Sequence, residues 1–88
     1  MSQNEKLFRG LLCGAKDNDF RFQDLQKILK HLEFSLRVRG DHFIYAKEGI
    51  AEIINLQPTA ANKAKPYQVA QVRAIVNKYN LGGNSIEI

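Results

Sequence analysis

An 88-residue chain with 44% hydrophobic residues, 25% charged residues, a net charge of +4 and a single cysteine has room for one core and the composition of an ordinary globular domain. It excludes an intramolecular disulfide and a paired-cysteine metal site. The apolar run Leu11-Leu12-Cys13 is too short for a signal peptide or a membrane span, so a cytoplasmic domain with no membrane partner is expected, with Cys13 as a small buried hydrophobe.

Ser2-Gln3-Asn4-Glu5 has capping-box spacing, and Leu7, Phe8, Leu11 and Leu12 follow at helical intervals, predicting a short first helix that stops at Gly14. Ala15 to Asp19 reads as a loop. Phe22, Leu25, Ile28, Leu29 and Leu32 then form the stripe of a second helix. After Glu33 the period drops to two: Phe34, Leu36 and Val38 alternate with Ser35, Arg37 and Arg39, a strand whose arginines share its wet face. Gly40-Asp41 predicts a turn, His42 to Ala46 a second strand, Lys47-Glu48-Gly49 another turn, and Ile50 to Leu56 a third strand. Gln57 to Lys65 reads as a loop. Pro66 suits the first position of a last helix carrying Val69, Val72, Ile75, Val76 and Tyr79 and closed by Gly82-Gly83. The order α-α-β-β-β-α predicts an α+β domain, a three-stranded antiparallel meander with helices on one face.

Between Ile53 and Ile86 stand Lys63, Lys65, Arg73 and Lys78 with no acidic residue. Such a segment suits a polyanion, and it equally suits a solvated helix face.

The glycines at 10, 14, 40, 49, 82 and 83 have neither the P-loop nor the dinucleotide-binding spacing, and no G-x-S-x-G is present. Histidine is the side chain whose ordinary pKa lies near neutrality, and the chain has His31 and His42. His31 falls on the polar face of the second helix near its C-terminus, where a cation is mildly favoured, and reads as structural surface. His42 opens the second strand beside Arg37 and Arg39, a position for a phosphate ligand. Its direction stays open, because Phe43 with Tyr45 and Ile44 with Ala46 both pass for the apolar set. Taken alone, a histidine at a strand start is more often structural than catalytic.

Gly40, His42 and Tyr45 form a G-x-H-x-I-Y arrangement on the second strand of a helix-then-meander domain. With Asn55-Leu56-Gln57-Pro58 and the run Lys63-Ala64-Lys65-Pro66-Tyr67-Gln68-Val69, the chain resembles the HicA toxin family. The resemblance divides the single domain 1–88 into an added N-terminal helix and loop at 1–19, a family core at 20–82 and a tail at 83–88. It implies a fold like that of double-stranded-RNA-binding domains, an mRNA endonuclease activity that inhibits growth, and a HicB-type antitoxin. The family's Gly-Ser-His motif maps to Gly40-Asp41-His42, which makes His42 the implied catalytic residue. Asp41 stands where serine is usual, and Phe43 where a second histidine often follows.

An RNA 2′-hydroxyl is a built-in nucleophile, so its cleavage needs a base and positive charge on the phosphate, and no metal or cofactor. His42 supplies the base or acid on this reading, with Arg37, Arg39, Gly40, Lys63 and Lys65 as the RNA-binding set. The alternative is a non-catalytic RNA-binding module of the same fold, which has no need of an imidazole at position 42. A weaker one is a protein-interaction domain whose RNA role has lapsed.

Overall fold

The structure is a computed structural model and describes residues 3–81. Helices α1 (Gln3–Cys13), α2 (Phe22–His31) and α3 (Pro66–Tyr79) and strands β1 (Ser35–Arg39), β2 (His42–Ala46) and β3 (Ile54–Leu56) follow in the order α-α-β-β-β-α. The α+β expectation holds element by element.

In α1, Phe8 and Leu11 are buried, whereas Leu12 and Cys13 are exposed. Cys13 lies two residues, about 200°, from Leu11 around the helix; it therefore faces solvent and does not fill the core as expected. Gly14, at φ +75°, ends α1 in the left-handed region that favours glycine. Ser2 of the capping box lies outside the described residues. The predicted loop after Gly14 contains one turn of 3-10 helix, Asp17–Asp19.

The α2 stripe buries Phe22, Leu25, Ile28 and Leu29. The helix closes through a Schellman arrangement: Phe34 N–H donates to Leu29 O at 3.0 Å and Glu33 N–H to Lys30 O at 2.9 Å, with Glu33 left-handed at φ 67°. That closure turns the chain directly into β1.

The sheet has the order β1-β2-β3 and is antiparallel throughout. Gly40, at φ +61°, supplies the positive φ that a two-residue hairpin turn of the II′ kind needs at its first central position. Register puts Leu36 opposite Tyr45, Val38 opposite Phe43, and these in turn opposite Ile54 and Leu56. Directly opposed residues share a face, so these six point toward the helices. Ser35, Arg37, Arg39, His42, Ile44, Ala46 and Asn55 point away. Tyr45, Ile54 and Leu56 are buried under the helices; Phe22 meets Phe43 edge to face at 5.2 Å, and Gln26 Nε2 donates to Tyr45 Oη at 3.2 Å.

Two strand expectations are corrected. Leu36 and Val38 lie on the helix side, yet they are 48% and 51% exposed, because β1 is an edge strand and the helices cover chiefly its neighbours. The third strand is Ile54–Leu56, shorter than the predicted run from Ile50. Residues 50–53 are drawn off the ladder: Ile50 N–H closes a turn on Lys47 O at 3.1 Å, and the Glu52 carboxylate is held at the end of α3 by Lys78 Nζ at 2.8 Å and Tyr79 Oη at 2.5 Å.

Loop 57–65 is anchored to the start of α2, with Phe22 N–H on Asn62 O at 3.0 Å and Ala64 N–H on Phe20 O at 2.8 Å. At the start of α3, Gln68 is buried and its Oε1 accepts from Lys65 N–H at 3.3 Å. The helix stops at Asn80, left-handed at φ 52°, with Leu81 N–H on Val76 O at 2.9 Å. Asparagine supplies the conformation expected two residues later from Gly82-Gly83, which lie outside the described residues. Among the described residues, no helix is long and apolar enough to cross a membrane.

Candidate functional site

The burial of Phe43 and Tyr45 toward the helices settles the direction of His42. It points from the start of β2 onto the outer face of the sheet, directly opposite Arg39 and next to the Gly40-Asp41 turn. Its Nδ1 lies 3.2 Å from Asn55 Oδ1, and its Nε2 lies 3.7 Å from Asp41 Oδ1. Gln57 Nε2 donates to the other Asp41 oxygen at 2.7 Å. Four polar side chains from the hairpin turn, β2 and the end of β3 thus form one connected group.

This arrangement fixes the chemistry available to the ring. An amide oxygen only accepts, so with Oδ1 toward the ring Nδ1 carries the proton and Nε2 keeps its lone pair. In that tautomer Nε2 is the basic nitrogen. The His42 side chain is 49% exposed, which leaves that nitrogen accessible to a substrate.

Arg37 and Arg39 are exposed on the same face, and no ion pair among the described residues engages either of them. The sheet thus brings together Arg37, Arg39, Gly40 and His42, four of the residues predicted from sequence. Lys63 is elsewhere. Its ammonium is bonded to Asp19, holding that carboxyl below its ordinary pKa, and it lines a groove on the helix side with Lys6, Arg21 and Phe43. Lys65 stands at the start of α3.

The acid-free segment does not become a basic patch. Lys63, Arg73 and Lys78 each meet a carboxylate from outside that segment, respectively Asp19, Asp17 and Glu52. His31 is exposed in the last turn of α2, as expected.

Asn55 and Gln57 were not singled out as site residues from the sequence. Alternation of Asn55 with Ile54 and Leu56 gives its outward direction. That it reaches His42 follows from the β2–β3 register, which places Asn55 opposite Ile44.

No protein-family model, curated protein or solved structure gives a significant match to the chain.

Proposed function

We propose that the protein is a HicA-like toxin, a metal-independent endoribonuclease that cuts mRNA in the cytoplasm through His42 and is neutralised by a HicB-type antitoxin. The order of elements suits a core like that of double-stranded-RNA-binding domains. The observation that carries the reading is the placing of His42, with its Nδ1 3.2 Å from Asn55 Oδ1, beside two arginines that form no ion pair among the described residues, on one exposed sheet face.

In this reaction Nε2 removes the proton of a 2′-hydroxyl, and the 2′-oxygen attacks the adjacent phosphorus. The bond to the 5′-oxygen breaks, and that oxygen is protonated by the imidazolium or by water. Arg37 and Arg39 stabilise the charge that builds on the phosphate. RNA is required because DNA lacks the nucleophile.

His42→Ala should cut RNA about 10² to 10⁴ times more slowly than wild type, with the fold intact because the side chain is half exposed and packs in no core. Wild type should remain active in chelator and leave DNA of the same sequence uncut. Full activity of a folded His42→Ala protein overturns the assignment. The reading as a protein-interaction domain whose RNA role has lapsed is favoured by one feature, the Asp41 carboxylate 3.7 Å from His42, which opposes a phosphate. On that alternative neither protein cuts RNA or binds it.

A further inference from the structure

β1, at Ser35–Arg39, is the longer of the two edge strands of the sheet. Arg39 and His42 flank the two-residue turn and form the closing pair of the hairpin, so the ladder bonds of β1 toward β2 fall on Ser35, Arg37 and Arg39. The N–H and C=O groups of Leu36 and Val38 then point away from β2. No described segment pairs with them. The same two residues have side chains about half exposed, 48% and 51%, on the helix side.

Edge strands are commonly protected by proline, a bulge or an inward-pointing charge. β1 has none of these: its sequence is Ser-Leu-Arg-Val-Arg, its register with β2 is unbroken, and both charges point outward. What it does carry is charge of one sign. Arg37 and Arg39 line one face of the edge, and Leu36 and Val38 line the other.

We propose that β1 is a strand-addition site for an extended polypeptide segment in which carboxylate and apolar side chains alternate. Such a strand places its carboxylates beside Arg37 and Arg39 and its apolar side chains over Leu36 and Val38, while its backbone bonds to the open groups of those two residues. A second copy of the chain is a poor occupant. Antiparallel self-pairing centred on Arg37 sets Arg37 against Arg37, and centred on Val38 it sets Arg37 against Arg39, both like-charge pairs that destabilise a ladder. Centring on Leu36 leaves Arg39 beyond the ladder. This surface does not depend on any chemistry at His42.

The test is a titration of the ¹⁵N-labelled full chain with the peptide acetyl-Glu-Val-Glu-Ile-Glu-Val-amide, with a same-composition peptide whose three acidic residues are consecutive, and with the lysine counterpart of the alternating peptide. The alternating acidic peptide should bind and protect the Leu36 and Val38 amides from hydrogen exchange. The other two should bind far more weakly. Arg37→Glu should weaken binding about tenfold by reversing the cross-strand charge pairing, Val38→Pro should abolish it by removing an edge donor, and His42→Ala should leave it unchanged. Absence of binding at millimolar peptide overturns the proposal, as does equal binding of the block peptide. Protection of the two amides that grows with protein concentration in the absence of peptide also overturns it, assigning the edge to a second copy.

Discussion

Asn55 reaches the His42 ring across the sheet face, and this gives it a role separable from packing. Its Oδ1 at 3.2 Å from Nδ1 holds the tautomer in which Nε2 faces solvent with a lone pair. Asn55→Ala should lower kcat about tenfold with little change in KM, since it frees the ring to rotate and to take the other tautomer. Asn55→Asp should keep the orientation and raise the His42 pKa, shifting the rising limb of the pH–rate profile to higher pH. An unchanged profile in both variants would make Asn55 a bystander. Glu33 is a residue of another kind: left-handed at φ 67° and exposed, it bears the steric cost of a β-carbon in that region. Glu33→Gly should stabilise the fold by about 0.5–1 kcal/mol, the αL penalty less the entropy glycine loses on folding, read as a higher urea midpoint at unchanged m. At this scale the sequence shows which side chains are of a kind that can do chemistry. It does not show the aim of His42, because Phe43-Ile44-Tyr45-Ala46 is apolar at every position and only the burial of Tyr45 breaks the tie.

At the scale of elements, the stripe of α2 and the alternation of β1 are readable because each repeats with the period of its own backbone. Whether the apolar side of β1 is covered is not readable, since alternation marks a face and says nothing of strand order. Leu36 and Val38 have the pattern of buried residues and the exposure of an edge. β3 is shorter than its apolar run because Glu52 is captured by α3, a contact between residues 26 and 27 positions apart. The same distance effect separates the basic residues into two groups. Arg37 and Arg39 project from a strand with no acidic residue, whereas the Lys63 ammonium is occupied by Asp19. Arg37→Ala with Arg39→Ala should therefore weaken RNA binding for all sequences and flatten the log–log salt dependence by about 0.7 per lost phosphate contact on single strands. Lys63→Ala should leave that slope close to wild type. Filter binding from low to moderate salt distinguishes the two, and the reverse ranking would move the RNA footprint from the sheet to the helix side.

At the scale of the molecule, the carboxylates of Asp17, Asp19 and Glu52 fasten segments that the sequence keeps far apart. Asp17 receives both Arg73 terminal nitrogens at 2.9 Å, tying the 3-10 turn to α3, while the same Arg73 donates to Leu11 O at 3.2 Å and so reaches the end of α1. Asp19 binds Lys63 of loop 57–65. Glu52 holds the last turn of α3 through Lys78 and Tyr79. In each case the hydrogen bond to the cation is the main influence and lowers the carboxyl pKa: Asp17 and Asp19 fall below the ordinary 3.8, and Glu52 falls from 4.5 to about 2. A carboxyl depressed in the folded state binds fewer protons there than in the unfolded chain. Its stabilisation is complete above the unfolded value and is lost as pH falls through the folded one, which for Glu52 is the window from 4.5 down to about 2. Urea midpoints of the wild type should therefore hold steady from neutral pH to near 5 and then fall through this window. Glu52→Gln should start lower at neutral pH, because the charged contacts at the end of α3 are weakened, and should lose less on acidification because one titrating group is gone. The two curves should converge as pH approaches 2. Curves that stay parallel across the window would mean that the Glu52 carboxylate contributes nothing to docking α3 beside the sheet, and the acid sensitivity would then belong to Asp17 and Asp19 alone.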